Sequence, residues 1–434
     1  MKIKSSLYFL LVMLLMFSTK LFFFLHEPGF RASFLSYFEI ITLFVAIVLF
    51  IYFGFKEKSE EQTKVNKSSH LGMVLSVILS VFILAALAFS FYLSAHKGSI
   101  DWDSTALYDM RAKFLRAGLS FSDMVPLNKY DIKNQYYYLL YPPFTSILHY
   151  FWYNFFSSGI TIIYSIFLSL FTAGLFIVTK KRLGILGSLF LIFVVVSTKI
   201  VISSSFAEYT NLPYWLFLTI GVFLLASYLK TRRMSEIIAG AFFIATSQWV
   251  RYLEPVWLVI LVAFLVSVLI FRRFKENTKA LLILFFLGFL EFFIWRHFLN
   301  DVAHNPQITQ VSWIFYGDLL LGVFTGSIVQ VSSVFFATFG THMLIYLTAL
   351  LPFRIDFKED IDLFFLKLVI LFGLIFYLIG LYGVAVQFDW WKELNGSIER
   401  SSGFLIPIGV YLILVDAKRF LAYFNKRENG KTLK

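Results

Sequence analysis

The chain has 434 residues, of which 59% are hydrophobic, 20% aromatic and only 15% charged, against roughly 45–50% apolar and about 25% charged in an ordinary soluble protein. A water-soluble fold would leave large apolar patches exposed to aggregate, so the composition excludes one and demands lipid as the solvent. The net charge of +12 lies in short basic clusters between apolar runs, which implies orientation in a bilayer and no nucleic-acid partner, while the lack of any cysteine excludes disulfides, thiolate metal sites and a cysteine nucleophile.

Crossing the hydrocarbon takes about 20 mostly apolar residues in a helix, because in lipid a helix satisfies its own backbone hydrogen bonds. The sequence predicts an all-α bundle of about twelve spans, over 5–25, 36–55, 71–95, 159–179, 183–203, 212–229, 236–252, 255–271, 278–296, 328–352, 363–385 and 402–416. The first run follows Lys2 and Lys4 as a secretory signal would, but it is long and lacks a small-residue cleavage site, so it is expected to stay as a span. The polar stretch 56–69 reads as a linker that divides a two-span N-terminal appendage, residues 1–70, from the transmembrane domain 71–434.

Whether the short run 144–156 spans decides the side of everything after it. With that run as a juxtamembrane or re-entrant helix and the N-terminus inside, most of the 38 Lys and Arg fall on the cytoplasmic side, as the positive-inside rule requires. If it spanned, the clusters near 180, 230 and 272 would all move outside. The outer face then carries one long loop, 96–143, and four shorter segments that face the same water, 203–211, 251–254, 296–318 and 387–403.

In the long loop, Asp101-Trp102-Asp103 follows a span directly. Ala106, Leu107, Met110, Phe114 and Leu115 then recur at helical spacing, with Arg111, Lys113 and Arg116 off the stripe and Gly118 as a stop, which predicts an amphipathic surface helix over 104–118. One Asp before a helix is ordinarily its cap; two carboxylates flanking a Trp at the interface exceed what a cap needs and suit a general base or a metal ligand. The loop ends in Tyr136-Tyr137-Tyr138 and Tyr141-Pro142-Pro143. These tyrosines fit an interfacial belt, or a wall against which a sugar or prenyl chain packs.

An Asp-x-Asp just outside a span, followed by an aromatic…Ala-Lys-x-Leu…Gly helix and a Tyr-Pro-Pro helix start, resembles the C-type fold (GT-C) of polytopic membrane glycosyltransferases, such as protein mannosyltransferases and the aminoarabinose transferases of lipid A. Tyr209-Thr-Asn-Leu-Pro213 is similar to a second outer pattern, Tyr-x-Asp-x-Pro, with Asn211 where Asp is common. Arg251-Tyr-Leu-Glu254, Trp295-Arg296 and Ser397-Ile-Glu-Arg400 resemble three later patches.

The resemblance implies transfer of a sugar from a polyprenyl-phosphate carrier to an acceptor hydroxyl on a glycan, lipid or protein, at the outer face of the inner or plasma membrane. Asp103 is then the expected base and Asp101 the second choice. The lipid phosphate, already a good leaving group, needs positive charge in place of a second acid. Arg251 and Arg400, then Lys199 and Arg296, are the candidates, with Glu208, Glu254 and Tyr141 completing the substrate site; each Arg has a plain alternative in interfacial snorkelling or a local ion pair. No cofactor is required, although Asp101, Asp103 and Glu208 together offer oxygen ligands for a divalent cation. Glu291, His342 and Lys367 lie inside spans, where pairing between helices is expected. The competing readings are a transporter or lipid flippase, and a polymerase or ligase of surface polysaccharide. Against the first stand the polar residues gathered in outer loops and the absence of two related halves.

Overall fold

The computed structural model describes residues 2–56, 70–96, 108–127, 141–156, 158–207, 209–252, 255–299, 327–351, 360–387, 392 and 395–428. Among them the secondary structure is helical throughout, with no strand. In chain order the helices are α1 (Lys2–His26), α2 (Pro28–Arg31), α3 (Phe34–Lys56), α4 (His70–His96), α5 (Met110–Arg116), α6 (Phe121–Leu127), α7 (Phe144–Phe155), α8 (Ile162–Ser197) and α9 (Lys199–Ser204). The second half continues with α10 (Asn211–Thr231), α11 (Met234–Val250), α12 (Val256–Ile270), α13 (Phe274–His297), α14 (Ser327–Leu350), α15 (Ile361–Gln387), α16 (Asn395–Ser402) and α17 (Leu405–Glu428).

Seven of the described helices, α1, α3, α4, α8, α10, α13 and α15, are long and apolar enough to cross a membrane. The two arms of α14, bent by 100° at Gly340, make an eighth if taken as one span. The protein is membrane-embedded, and its surface says the same: Leu11, Phe34, Ile41, Val77, Val81 and Leu84 all lie exposed on the first long helices, where lipid is their solvent.

The 36 residues of α8 would stretch about 54 Å if straight. They do not. Thr179 and Ser188, nine residues and therefore about 13 Å apart along a helix, have hydroxyls 3.0 Å from each other. The chain doubles back at Gly184, whose φ of 79° is open to glycine at no steric cost. The break falls next to Lys180-Lys181-Arg182, where the apolar pattern also stops. By contrast α7, over the ambiguous run, is a 12-residue helix of about 18 Å, too short to cross.

At the centre stands α10, buried on all sides from Asn211 to Leu229 apart from Ser227. It meets α11 where Gly221 faces Gly240; a Cβ on Gly221 would lie 3.1 Å from the Gly240 carbonyl oxygen. Small residues let two backbones approach where lipid supplies no hydrophobic drive between helices. Elsewhere hydroxyls join the helices. On α4 the buried residues are Ile83, Ser90 and Ser94. Both serines reach Ser165 of α8, at 2.6 and 2.7 Å, and Ser90 donates to the Ser205 hydroxyl at 2.7 Å.

The pairings expected inside spans are present. Lys367 bonds Asp416 at 3.2 Å and the Leu351 carbonyl at 2.6 Å, His342 lies 3.6 Å from Glu399, and Glu291 binds Lys20 at 2.6 Å.

Loop contacts sort the molecule into two ends. At one, Arg182 pairs with Asp362, Lys418 donates to the Arg182 carbonyl at 2.9 Å, Arg419 pairs with Asp360, and Arg232 reaches Glu276 at 2.9 Å. At the other, Ser122 donates to Glu27, Arg251 to Asn211, and Trp215 to the Arg400 carbonyl. The helix α10 runs between the two ends.

Candidate active site

The second end gathers around the first turn of α10. Pro213 in that turn has a ring that fits a helix start, where its missing N–H has no intrahelical partner to lose. Just before it stand Tyr209, Thr210 and Asn211. The guanidinium of Arg251, the residue that ends α11, donates through Nη1 to the Asn211 side-chain oxygen at 2.9 Å. Arg251 is only 6% exposed, and the Asn211 amide orients its guanidinium. On the other flank the Arg400 guanidinium stacks over the Tyr209 ring, 4.5 Å from its centre, while Nε donates to the Gly396 carbonyl at 3.0 Å. Trp215 Nε1 donates to the Arg400 carbonyl at 2.7 Å. Gly403 is fixed by this contact, since any Cβ there would collide with the Trp215 indole.

A third wall comes from the long loop. Tyr108 lies against Tyr141, with ring centres 6.3 Å apart, and its hydroxyl hydrogen-bonds with Thr210. Burial pushes the Tyr108 phenol well above its ordinary range, Tyr141 adds to the effect, and the nearby Arg251 and Arg111 oppose it. Arg111 is buried and donates to the Tyr141 carbonyl at 2.9 Å. Two arginines thus face one tyrosine beside the start of α10.

This revises the surface helix. The expected span was 104–118 with Arg111 off the buried stripe; residues 104–107 lie outside the described residues, and the helix runs over Met110–Arg116. Its buried residues are Arg111, Ala112 and Leu115, in line with Tyr108, while Met110 and Phe114 are only half-buried. The shift has a physical cause: the Tyr141 carbonyl gives the guanidinium a partner inside, so a polar side chain takes a place that the pattern reserves for an apolar one. The stop is as expected. Gly118 has φ 83°, Leu119 N–H bonds the Phe114 carbonyl at 3.1 Å and Gly118 N–H that of Leu115 at 3.0 Å, a Schellman closure.

Next to this wall, Asp109 takes hydrogen bonds from the Tyr153 hydroxyl and pairs with Lys113 at 2.7 Å. His149 of α7 is fully buried; Nε2 hydrogen-bonds with the Tyr164 hydroxyl at 2.8 Å, and Nδ1 has no hydrogen-bond partner among the described residues. Burial pulls the imidazole down to about 4, against the opposing charge of Asp109. Glu27, which accepts from Ser122 N–H at 3.1 Å, is pushed up by burial despite those hydrogen bonds.

Of the residues expected in the site, Arg251, Arg400 and Tyr141 come together. Arg296 is half-buried at the end of α13 and acts electrostatically on Tyr252, the residue after Arg251. Lys199 is exposed at the start of α9, and no described contact joins it to the cluster. Asp101, Asp103, Glu208 and Glu254 lie outside the described residues. Arg111, Tyr108 and Asn211 join the site without having been expected there. A stripe at 108, 111, 112 and 115 was visible in the sequence to a reading that admits a satisfied arginine on a buried face. Compared with protein-family models, with curated proteins and with solved structures, the chain matches none.

Proposed function

We propose that this protein is a membrane glycosyltransferase of about twelve spans with both termini in the cytoplasm. It moves a sugar from a polyprenyl-phosphate donor to the hydroxyl of a surface glycan, lipid or protein acceptor at the outer face of the cell membrane. The observation that carries the reading is the meeting of Arg251, Arg111, Arg400 and Tyr141 around the first turn of α10. The covalent chain keeps the acidic residues near: Glu208 precedes Tyr209, Glu254 is three residues past Arg251, and Asp103 is five residues before Tyr108, within about 18 Å of it at full extension.

In this reading the Asp103 carboxylate, with Asp101 as the alternative, accepts the acceptor hydroxyl proton as the oxygen attacks the anomeric carbon. The bond from that carbon to the phosphate oxygen breaks, and its electron pair leaves with the lipid phosphate. Arg251 and Arg400 stabilise the growing negative charge, since guanidinium forks match phosphate oxygens. A divalent ion on Asp101, Asp103 and Glu208 would add positive charge beside the phosphate.

Asp103→Asn is expected to abolish sugar transfer while the protein still inserts in the membrane, measured as loss of one sugar from the envelope glycans by mass spectrometry. Normal glycans from that variant would remove Asp103 as the base. The transporter reading draws support from one observation, a set of ionisable groups buried among α1, α3 and α13.

A further inference from the structure

Lys20 of α1, Glu39 of α3 and Glu291 of α13 meet inside the bundle. All three are at most 2% exposed. Lys20 Nζ bonds Glu39 Oε1 and, at 2.6 Å, Glu291 Oε2. The Trp249 ring of α11 covers the ammonium at 4.2 Å, and its Nε1 donates to Thr19 at 3.2 Å. Lys20 and Glu291 each stand six residues inside a helix end, about 9 Å along the axis. The far oxygens, Glu39 Oε2 and Glu291 Oε1, are buried with no hydrogen-bond partner among the described residues. No further charged group from α1, α3, α11 or α13 pairs with the three.

The charge count decides what such a cluster holds. Two carboxylates and one ammonium carry a net negative charge, and an uncompensated charge away from water is removed by protonation wherever a group can take a proton. Lys367 and Asp416 provide the contrast within the same molecule, one cation to one anion, neutral as they stand.

We infer that Lys20, Glu39 and Glu291 form a one-proton binding site inside the membrane, consisting of an ammonium, a carboxylate and a carboxylic acid whose proton is shared by the two glutamates. The proton comes from water and returns to it, and no other reactant is needed. The site lies two residues along α11 from Arg251, so it borders the candidate active site, yet it exists whether or not sugar transfer is the reaction. Its ligand is the proton itself, the chemistry that a proton-coupled step across a membrane requires.

Infrared difference spectra of the full chain in phosphatidylcholine nanodiscs at neutral pH test this. The wild type should show one carboxylic-acid carbonyl band that Glu39→Gln and Glu291→Gln each abolish, because either leaves one carboxylate to balance Lys20. Lys20→Arg should keep the band and Lys20→Met should double it, as both glutamates become acids. A band that survives in either Gln variant overturns the inference, and so does the absence of a band from the wild type. Should a Gln variant fail to insert, the chain with Glu27 and Glu236, the other glutamates that burial favours as acids, both replaced by Gln must still show the band at neutral pH and lose it on alkalinisation. A chain without it refutes the site. Failure of the sugar-transfer test leaves these spectra unchanged, so the two proposals fall separately.

Discussion

Two regions of this protein place positive charge beside tightly packed aromatics and use it in opposite ways. Around the first turn of α10, Arg251 gives its hydrogen bond to the amide of Asn211 and Arg400 gives its face to Tyr209. These two contacts are with neutral groups, and they set the direction of each guanidinium. Below, Lys20 is clamped by two carboxylates under the Trp249 ring. Its charge is cancelled. The two regions differ in access to water: Arg400 and Arg296 are half-exposed, whereas the Lys20 cluster has no exposed member. Positive charge kept beside water suits an anionic ligand, and charge neutralised in the interior suits holding helices and a proton.

The contrast is broken most directly through Lys20. Lys20→Met leaves two buried glutamates without their cation, and removal of one partner of a buried ion set costs about 3–5 kcal/mol. Thermal unfolding in detergent should show a large fall in melting temperature, and Lys20→Met combined with Glu39→Gln and Glu291→Gln should recover most of it, because that set is neutral without having to take up protons. A Lys20→Met protein that melts with the wild type would mean that the three groups do not share a dry site.

Acid tests the border between the two regions, at His149. Its folded value lies at about 4 and its unfolded value near 6.5, so below about pH 6.5 the unfolded chain takes up a proton that the folded one refuses. This contribution is fully present above pH 6.5 and is lost as the pH falls toward 4, at most about 3 kcal/mol for a shift of that size. His149→Phe should flatten the fall of melting temperature over that interval. An unchanged slope would show that His149 is reached by water.

The positions of the long helices were legible because a lipid-facing or buried span is a run of apolar residues, and even the fold-back at Gly184 sits beside a basic cluster that interrupts the run. The pairing of Glu291 was legible as a need for a partner. Which partner was not: Lys20 and Glu39 lie 271 and 252 residues away in sequence, on two other helices, and only packing brings them within bonding distance. At the site, Arg251, Arg400 and Tyr141 were found through motifs, whereas Arg111 was lost to the assumption that a charged residue marks a solvated face. A carbonyl contributed by Tyr141, thirty residues on, is what makes its burial tolerable.

The smallest effects sharpen the comparison most, since they separate function from stability within the arginine wall. Arg251→Gln removes a buried, charge-assisted hydrogen bond worth about 1.5–3 kcal/mol, less than Lys20→Met. Its main consequence should be a raised apparent KM for the lipid-linked donor. Arg400→Gln removes a half-exposed cation–π contact worth about 0.5–1 kcal/mol, so the protein should melt within a few degrees of the wild type. Its apparent donor KM should still rise, because the lost group is a charge at the site. Unaltered donor kinetics in both variants would exclude the two arginines from donor binding. A fall in stability at Arg400 as large as at Lys20 would erase the distinction between a charge kept for a ligand and a charge spent on the fold.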